Sequence, residues 1–178
     1  YWILGEENRE IFVFYGKNYT KINESFETGK VKYRWVSLDK FDTSPPSIRS
    51  CIFPCNLSIE DEVPFYFNSS IFYSLNLSLN PGSYSFFLKD LLNNSINVTI
   101  AVYQIDFGVP WDLEGIPNNT ILNISVYPPT NFSIFLNGKE VNQVICKNNS
   151  TLEVRIGNLS KKFNISVIES EFMNISSN

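Results

Sequence analysis

Apolar and polar residues alternate along most of this chain with a period of two. In Asn97-Val98-Thr99-Ile100-Ala101-Val102, the residues Val98, Ile100 and Val102 fall on one side and Asn97 and Thr99 on the other. The same alternation runs through Leu122–Val126, Phe132–Phe135, Leu152–Ile156 and Phe163–Val167. Asn137-Gly138 is a two-residue hairpin signal between Ile134-Phe135-Leu136 and Val141–Ile145. Pro81-Gly82 marks a turn between strands expected at Ser70–Leu79 and Tyr84–Leu88. Pro45-Pro46, Pro110 and Pro128-Pro129 punctuate loops. No segment carries a capped pattern of 3.6-residue period. The expected fold class is all-β, an Ig-like or pilin-like β-sandwich.

A second pattern is written over the first. The tripeptide Asn-x-Ser/Thr, the acceptor for N-glycosylation, begins at Asn18, Asn23, Asn56, Asn68, Asn76, Asn93, Asn97, Asn118, Asn123, Asn131, Asn148, Asn149, Asn158, Asn164 and Asn174. These are 15 of the 22 asparagines, about fourfold more than random placement of 28 Ser and Thr among 178 residues gives. In a strand, the Asn and the hydroxyl residue share one face and the middle residue points to the other. The middle residue is apolar in nine of them: Tyr19, Leu57, Leu77, Val98, Ile124, Phe132, Leu159, Ile165 and Ile175. A sugar-bearing face and a core face are thus encoded together. The expectation is a secreted, extracellular chain bearing many N-linked glycans and no other cofactor.

Composition narrows the function. Hydrophobic residues make up 43% and aromatics 15%, enough for a packed core. Charged residues are only 18%, and the net charge is -4 without a basic stripe, which argues against nucleic acid as a partner. No run of 18 apolar residues is present to span a membrane as a helix. A start at Tyr1, without Met or an apolar leader, reads as a mature chain whose signal peptide has been removed. There is no histidine, so triads that use one as base are excluded, and no catalytic residue is assigned. The acidic residues Glu60-Asp61-Glu62, Glu6-Glu7, Asp112 and Glu114 read as solvated loops, with a surface Ca²⁺ contact the first alternative and a two-carboxylate hydrolase the second. Trp2, Trp35 and Trp111 are candidates for stacking on sugars, with core packing the alternative for Trp35. No metal site is expected.

Cys51, Cys55 and Cys146 permit one disulfide and leave one thiol. Positions i and i+4 of a straight strand lie about 13 Å apart, too far to bridge, so a Cys51–Cys55 pair needs a turn, which Pro54 could provide. Pairing of Cys146 with either of the others is the alternative.

The amino-terminal stretch stands out. Tyr1-Trp2-Ile3-Leu4 is apolar, Gly5 to Glu10 is polar, and Ile11-Phe12-Val13-Phe14-Tyr15 is apolar again. Exposing Trp2, Ile3 and Leu4 forgoes about 1.5–3 kcal/mol each. Such a segment fits a groove, either as the first strand of its own sandwich or as a donor strand that completes a neighbour's. The domain reading is a tail or donor strand over 1–15 and a sandwich head over 16–178, with a sub-layer over 120–178.

Sequon density, absent histidine, richness in Asn, Ser, Tyr and Phe, and all-β alternation together resemble the thread filament subunits of Sulfolobus-type thermoacidophilic archaea. That resemblance implies a head-to-tail extracellular filament of copies of this chain, joined by donor-strand complementation through Tyr1–Tyr15, serving adhesion, biofilm or cell–cell contact. Ile11–Tyr15 as the head's own first strand remains the competing assignment. Tyr127-Pro128-Pro129 with Phe135-Leu136-Asn137-Gly138-Lys139 resembles the short PEGA-type β-module of surface proteins. The alternatives are a monomeric secreted module that binds a surface layer or sugars, an acid-stable two-carboxylate hydrolase, and a viral coat or spike protein.

Overall fold

Alternation becomes strand pairing in the computed structural model, which describes residues 9–24, 37–110 and 113–168, without the side chains of 9–11 and 22–24. Among these residues there are seventeen strands and no helix. In chain order they are β1 (Arg9–Tyr15), β2 (Asn18–Glu24), β3 (Lys40–Phe41), β4 (Cys51–Ile52), β5 (Asn56–Phe67), β6 (Ser70–Ser78), β7 (Gly82–Asp90), β8 (Ser95–Asp106) and β9 (Ile116–Pro117). Then come β10 (Thr120–Leu122), β11 (Ser125–Tyr127), β12 (Ser133–Leu136), β13 (Lys139–Val141), β14 (Val144–Cys146), β15 (Ser150–Ile156), β16 (Leu159–Ile165) and β17 (Val167–Ile168). The all-β class expected from the alternation is the observed one.

The chain divides into two compact units. One comprises Tyr1–Ile48, Ile59–Leu75 and Phe86–Val98; the other comprises Arg49–Ser58, Asn76–Ser85 and Thr99–Asn178. The largest sheet runs β11-β8-β7-β5-β6, with β4 added in parallel on β8. Proline-glycine at 81–82 does turn the chain from β6 to β7, but the two do not pair, because β5 lies between them in the sheet.

In the first unit, β1 and β2 form an antiparallel hairpin whose register runs from Arg9 opposite Glu24 to Tyr15 opposite Asn18, and β3 pairs with β2. Its core gathers Phe12, Tyr19, Val63 and Leu92, all buried, with Phe14 and Leu91 packed against them. Phe12 lies 5.9 Å from Phe14, 6.1 Å from Tyr19 and 5.8 Å from Tyr73, ring centre to ring centre.

These contacts revise the amino-terminal assignment. Ile11–Tyr15 occupies β1 with its main chain paired to β2, and Phe12 is buried in the chain's own core. The other residues expected of a donor strand, Tyr1, Trp2, Ile3 and Leu4, lie outside the described residues, as does Asn174. A boundary at residue 15 would cut the hairpin at its turn.

The second unit holds the four-stranded sheet β13-β12-β15-β16 together with the pairs β10-β14 and β17-β9. Leu152 and Val154 of β15 and Ile165 of β16 meet Ile116, Leu122, Val144 and Cys146 in one buried cluster, as two packed layers of a β-sandwich require. The sub-layer expected over 120–178 belongs to this larger unit. The Asn137-Gly138 hairpin joins β12 to β13, with φ of 50° and 80° at its two residues and Leu136 opposite Lys139.

Leu122–Val126 reads as one strand and is two. Thr120–Leu122 pairs with β14, whereas Ser125–Tyr127 pairs with β8. The side chains keep their alternation across the break, with Leu122 and Val126 buried and Asn123 and Ser125 exposed. Gly108 permits the corner: at φ +65° it lies so near Asn123 that an added Cβ would meet Asn123 Cβ and main-chain O at 2.9 Å.

Candidate glycan-bearing surface and assembly edge

Every sequon asparagine whose side chain is described is exposed; only Asn23 and Asn174 fall outside that description. The contrast within the residue type is sharp. Asn94, which begins no sequon, is buried, and its amide is consumed by the fold: N–H donates to Asp90 Oδ1 at 2.8 Å and Nδ2 donates to Asp90 Oδ2 at 2.6 Å.

Backbone preference accounts for some of the exposed asparagines. Asn68 and Asn93 have φ of 46° and 65°, a left-handed conformation that asparagine tolerates better than most residues. Asn76, Asn97 and Asn164 sit inside strands instead, where asparagine is disfavoured. Turn chemistry gives no reason for them. Behind the sequon asparagines, Tyr19, Leu57 and Ile165 are buried, and Leu77, Val98, Ile124, Phe132 and Leu159 are half-buried, as the alternation in the sequons requires.

The disulfide is local. Cys51 and Cys55 are bonded with Cα atoms 6.4 Å apart, across a turn that contains the cis Phe53-Pro54 peptide bond. Cys146 is left as a thiol, 1% exposed within the second unit's core, and burial raises its pKa. A buried, protonated thiol is a poor nucleophile.

Among the described residues, strand β6 is an edge of the large sheet, with β5 its neighbour there. Its residues Ile71 and Tyr73 are 39% and 47% exposed, and Phe72, Leu75 and Leu77 are only partly covered. Phe72 stands 6.4 Å from Phe67, which stands 6.1 Å from Phe86, and all three rings are half-buried. A nine-residue edge with this side-chain set is open to pairing by another strand.

The acidic candidates separate. Glu60 and Glu62 are exposed on one side of β5, while Asp61 points the other way, towards Asp42 and Asp90. Carboxylate oxygens of Asp42, Asp61 and Asp90 lie within 4.8 Å of one another. Asp61 Oδ2 is buried without a hydrogen-bond partner, and burial, then the charges of Asp42 and Asp90, push this carboxyl up to about 6. Lys17 Nζ donates to Leu92 O at 2.7 Å and to Asn94 Oδ1, and Asn94 Nδ2 in turn donates to Asp90 Oδ2 at 2.6 Å. Such an oxygen set has the chemistry to hold a hard cation, and two of its members, Asp42 and Asp90, carry no local sequence signal because they come from separate segments. Tyr19 donates to Glu62 Oε2 at 3.1 Å; burial first and this acceptor second raise its hydroxyl to about 12. Glu114 is exposed on a shallow cleft with Asn137, Asn149 and Asn164. Glu6, Glu7, Asp112 and the tryptophans Trp2, Trp35 and Trp111 lie outside the described residues.

No protein-family model matches this sequence. No curated protein matches it either. Among solved structures, the chain is similar to tandem Ig domains of titin, at 9% identity and a TM-score of 0.25, over 71% of this chain and 97% of the other. A likeness of that size assigns neither function nor partner. No helix among the described residues is long and apolar enough to cross a membrane.

Proposed function

We propose that this chain is a structural subunit of an extracellular archaeal surface filament, N-glycosylated and joined head-to-tail by donor-strand complementation. The observation that carries the reading is the β6 edge, nine residues long, beside the half-buried rings of Phe67, Phe72 and Phe86. An apolar strand laid along β6 satisfies the edge's main-chain groups, and every second side chain packs beside Phe72 of β6 and extends the apolar face. The apolar residues Tyr1-Trp2-Ile3-Leu4 of a second copy have the composition for that role. A contact of this kind is not self-complementary, so it propagates instead of closing. The exposure of the sequon asparagines supports the glycan coat. The filament would serve adhesion, biofilm or cell–cell contact.

Electron microscopy of the full chain beside a variant lacking residues 1–8 tests this. Strings of heads for the full chain and single particles for the truncated one are expected. Leu75→Lys on β6 should also stop growth while leaving the monomer's circular dichroism unchanged. Filaments that persist without residues 1–8 would sink the donor assignment. A full chain that stays monomeric favours a second reading, a monomeric secreted binding module, which the pairing of β1 within its own chain already suits.

A further inference from the structure

The first unit carries exposed aromatic rings where a folded chain gains nothing from them. Tyr15 is 80% exposed, Phe41 is 66% exposed and Phe87 is 62% exposed. Scattered surface aromatics need no explanation. These three are not scattered with respect to the sequons.

Tyr15 is the cross-strand partner of Asn18 on one side, and Phe41 is its partner on the other. Directly opposed residues of antiparallel strands point to the same face, with Cβ atoms about 5 Å apart. Tyr15, Asn18 and Phe41 therefore form a row across β1, β2 and β3, with the asparagine in the middle. The row is held from both ends. Gly16, at φ +61°, closes the two-residue turn that places Tyr15 opposite Asn18, and Asp42 N–H donates to Lys17 O at 3.1 Å, which fixes β3 beside the same turn. The rings that form the core, Phe12 and Tyr19, alternate to the opposite face.

Phe87 repeats the arrangement on another sheet. The Ser85 and Thr99 hydroxyls are 3.0 Å apart, and Asp90 N–H donates to Asn94 O at 3.0 Å. These two bonds set one antiparallel register for β7 and β8, in which Phe87 stands opposite Asn97. Asn97 is exposed and begins the sequon that ends at Thr99.

We propose that these rings are the seat of the attached sugars: Tyr15 and Phe41 flank and stack on the first residues of the glycan on Asn18, and Phe87 does the same for the glycan on Asn97. The hydrogen-bearing face of a pyranose is apolar, and the π-face of an aromatic ring is electronegative, so the two pack together and exclude water. The sugar is delivered at high effective concentration because it is covalently tethered one strand spacing from the ring. Thr20, the hydroxyl residue of the Asn18 sequon, is buried, so attachment there precedes closure of the fold over it. This inference rests on the glycosylation proposed above and is independent of filament assembly.

The test is a double-mutant cycle on full-length chain made in a host that N-glycosylates. Four proteins are compared: unchanged, N18Q, the pair Tyr15→Ser with Phe41→Ser, and all three together. Glycopeptide mass spectrometry reads occupancy at Asn18, and thermal unfolding reads stability. With Asn18 occupied, the ring pair is expected to lower Tm by about 2–4 °C, and in the N18Q background by less than about 1 °C. Equal losses in both backgrounds overturn the stacking while leaving glycosylation intact. An unoccupied Asn18 overturns both there, and the mass spectrum alone distinguishes that failure. A second readout does not depend on stability: ring-current upfield shifts of sugar protons, expected for the Asn97 glycan and abolished by Phe87→Ser. Their absence from the unchanged protein overturns the seat at Phe87.

Discussion

Asp61 ties one carboxyl to the stability of the whole chain. Its folded pKa is pushed up to about 6 from 3.8, by burial first and by Asp42 and Asp90 next. Between those values the folded chain keeps a proton that the unfolded chain releases. Its contribution to stability is therefore complete below 3.8 and is lost as the pH rises through about 6. Protonation also turns the unpartnered carboxyl of Asp61 into a donor, with carboxylate oxygens of Asp42 and Asp90 within 4.8 Å to accept. The shift is worth on the order of 1–2 kcal/mol after discounting for partial solvent exposure. Asp61→Asn should flatten the difference in Tm across that window and match or exceed the unchanged chain at pH 7, in a pH series of thermal melts. An unaltered profile removes Asp61 from the account. Cys146 gives a simpler expectation: no reaction with a thiol reagent until the chain unfolds, then one thiol per chain. The sequence allowed three pairings of the cysteines. Only the turn at Phe53-Pro54, which brings the Cα atoms of Cys51 and Cys55 to 6.4 Å, selects one.

At the scale of elements, two glycines separate backbone cost from packing cost. Gly138 has φ +80° and open space where a Cβ would be, so Gly138→Ala should cost about 1 kcal/mol for the left-handed backbone alone. Gly108 has φ +65° and the Asn123 main chain in the way, so Gly108→Ala should cost about 2–4 kcal/mol. Denaturant unfolding of both variants checks the order, and equal losses would mean that the corner at Asn123 yields. The first site was legible in the sequence, because Asn137-Gly138 states its turn type locally. The second was not. Leu122–Val126 keeps perfect alternation while its hydrogen-bond partner changes from β14 to β8, and alternation reports a face without reporting a neighbour. The disulfide closes a loop of sequence separation 4, so opening it by Cys55→Ser should cost only about 2 kcal/mol, read by the same unfolding curves.

For the whole molecule, the sequence by itself determined the class and which face of each alternating strand meets solvent. Period-two alternation admits only strands, and the sequon repeats that period, so the apolar side and the asparagine side were both readable from adjacent residues. The exposure of Asn56, Asn76, Asn97 and Asn164 in strands follows from that rule alone. The tertiary structure decided what depends on distant segments. It placed Ile11–Tyr15 in the chain's own hairpin, where Phe12 meets Tyr19, Val63 and Tyr73, although the same five apolar residues fit a donor strand equally well. It gathered Asp42, Asp61 and Asp90 from three segments into one carboxyl group set, and it aligned Tyr15 and Phe41 on either side of Asn18. It divided the chain into units that interleave along the sequence, where a tail and a head in succession had been expected. The physical reason is the same in each case. Side-chain periodicity is a local property of the backbone, whereas strand order is chosen by the sum of long-range pairings, and a single sequence does not display that sum residue by residue.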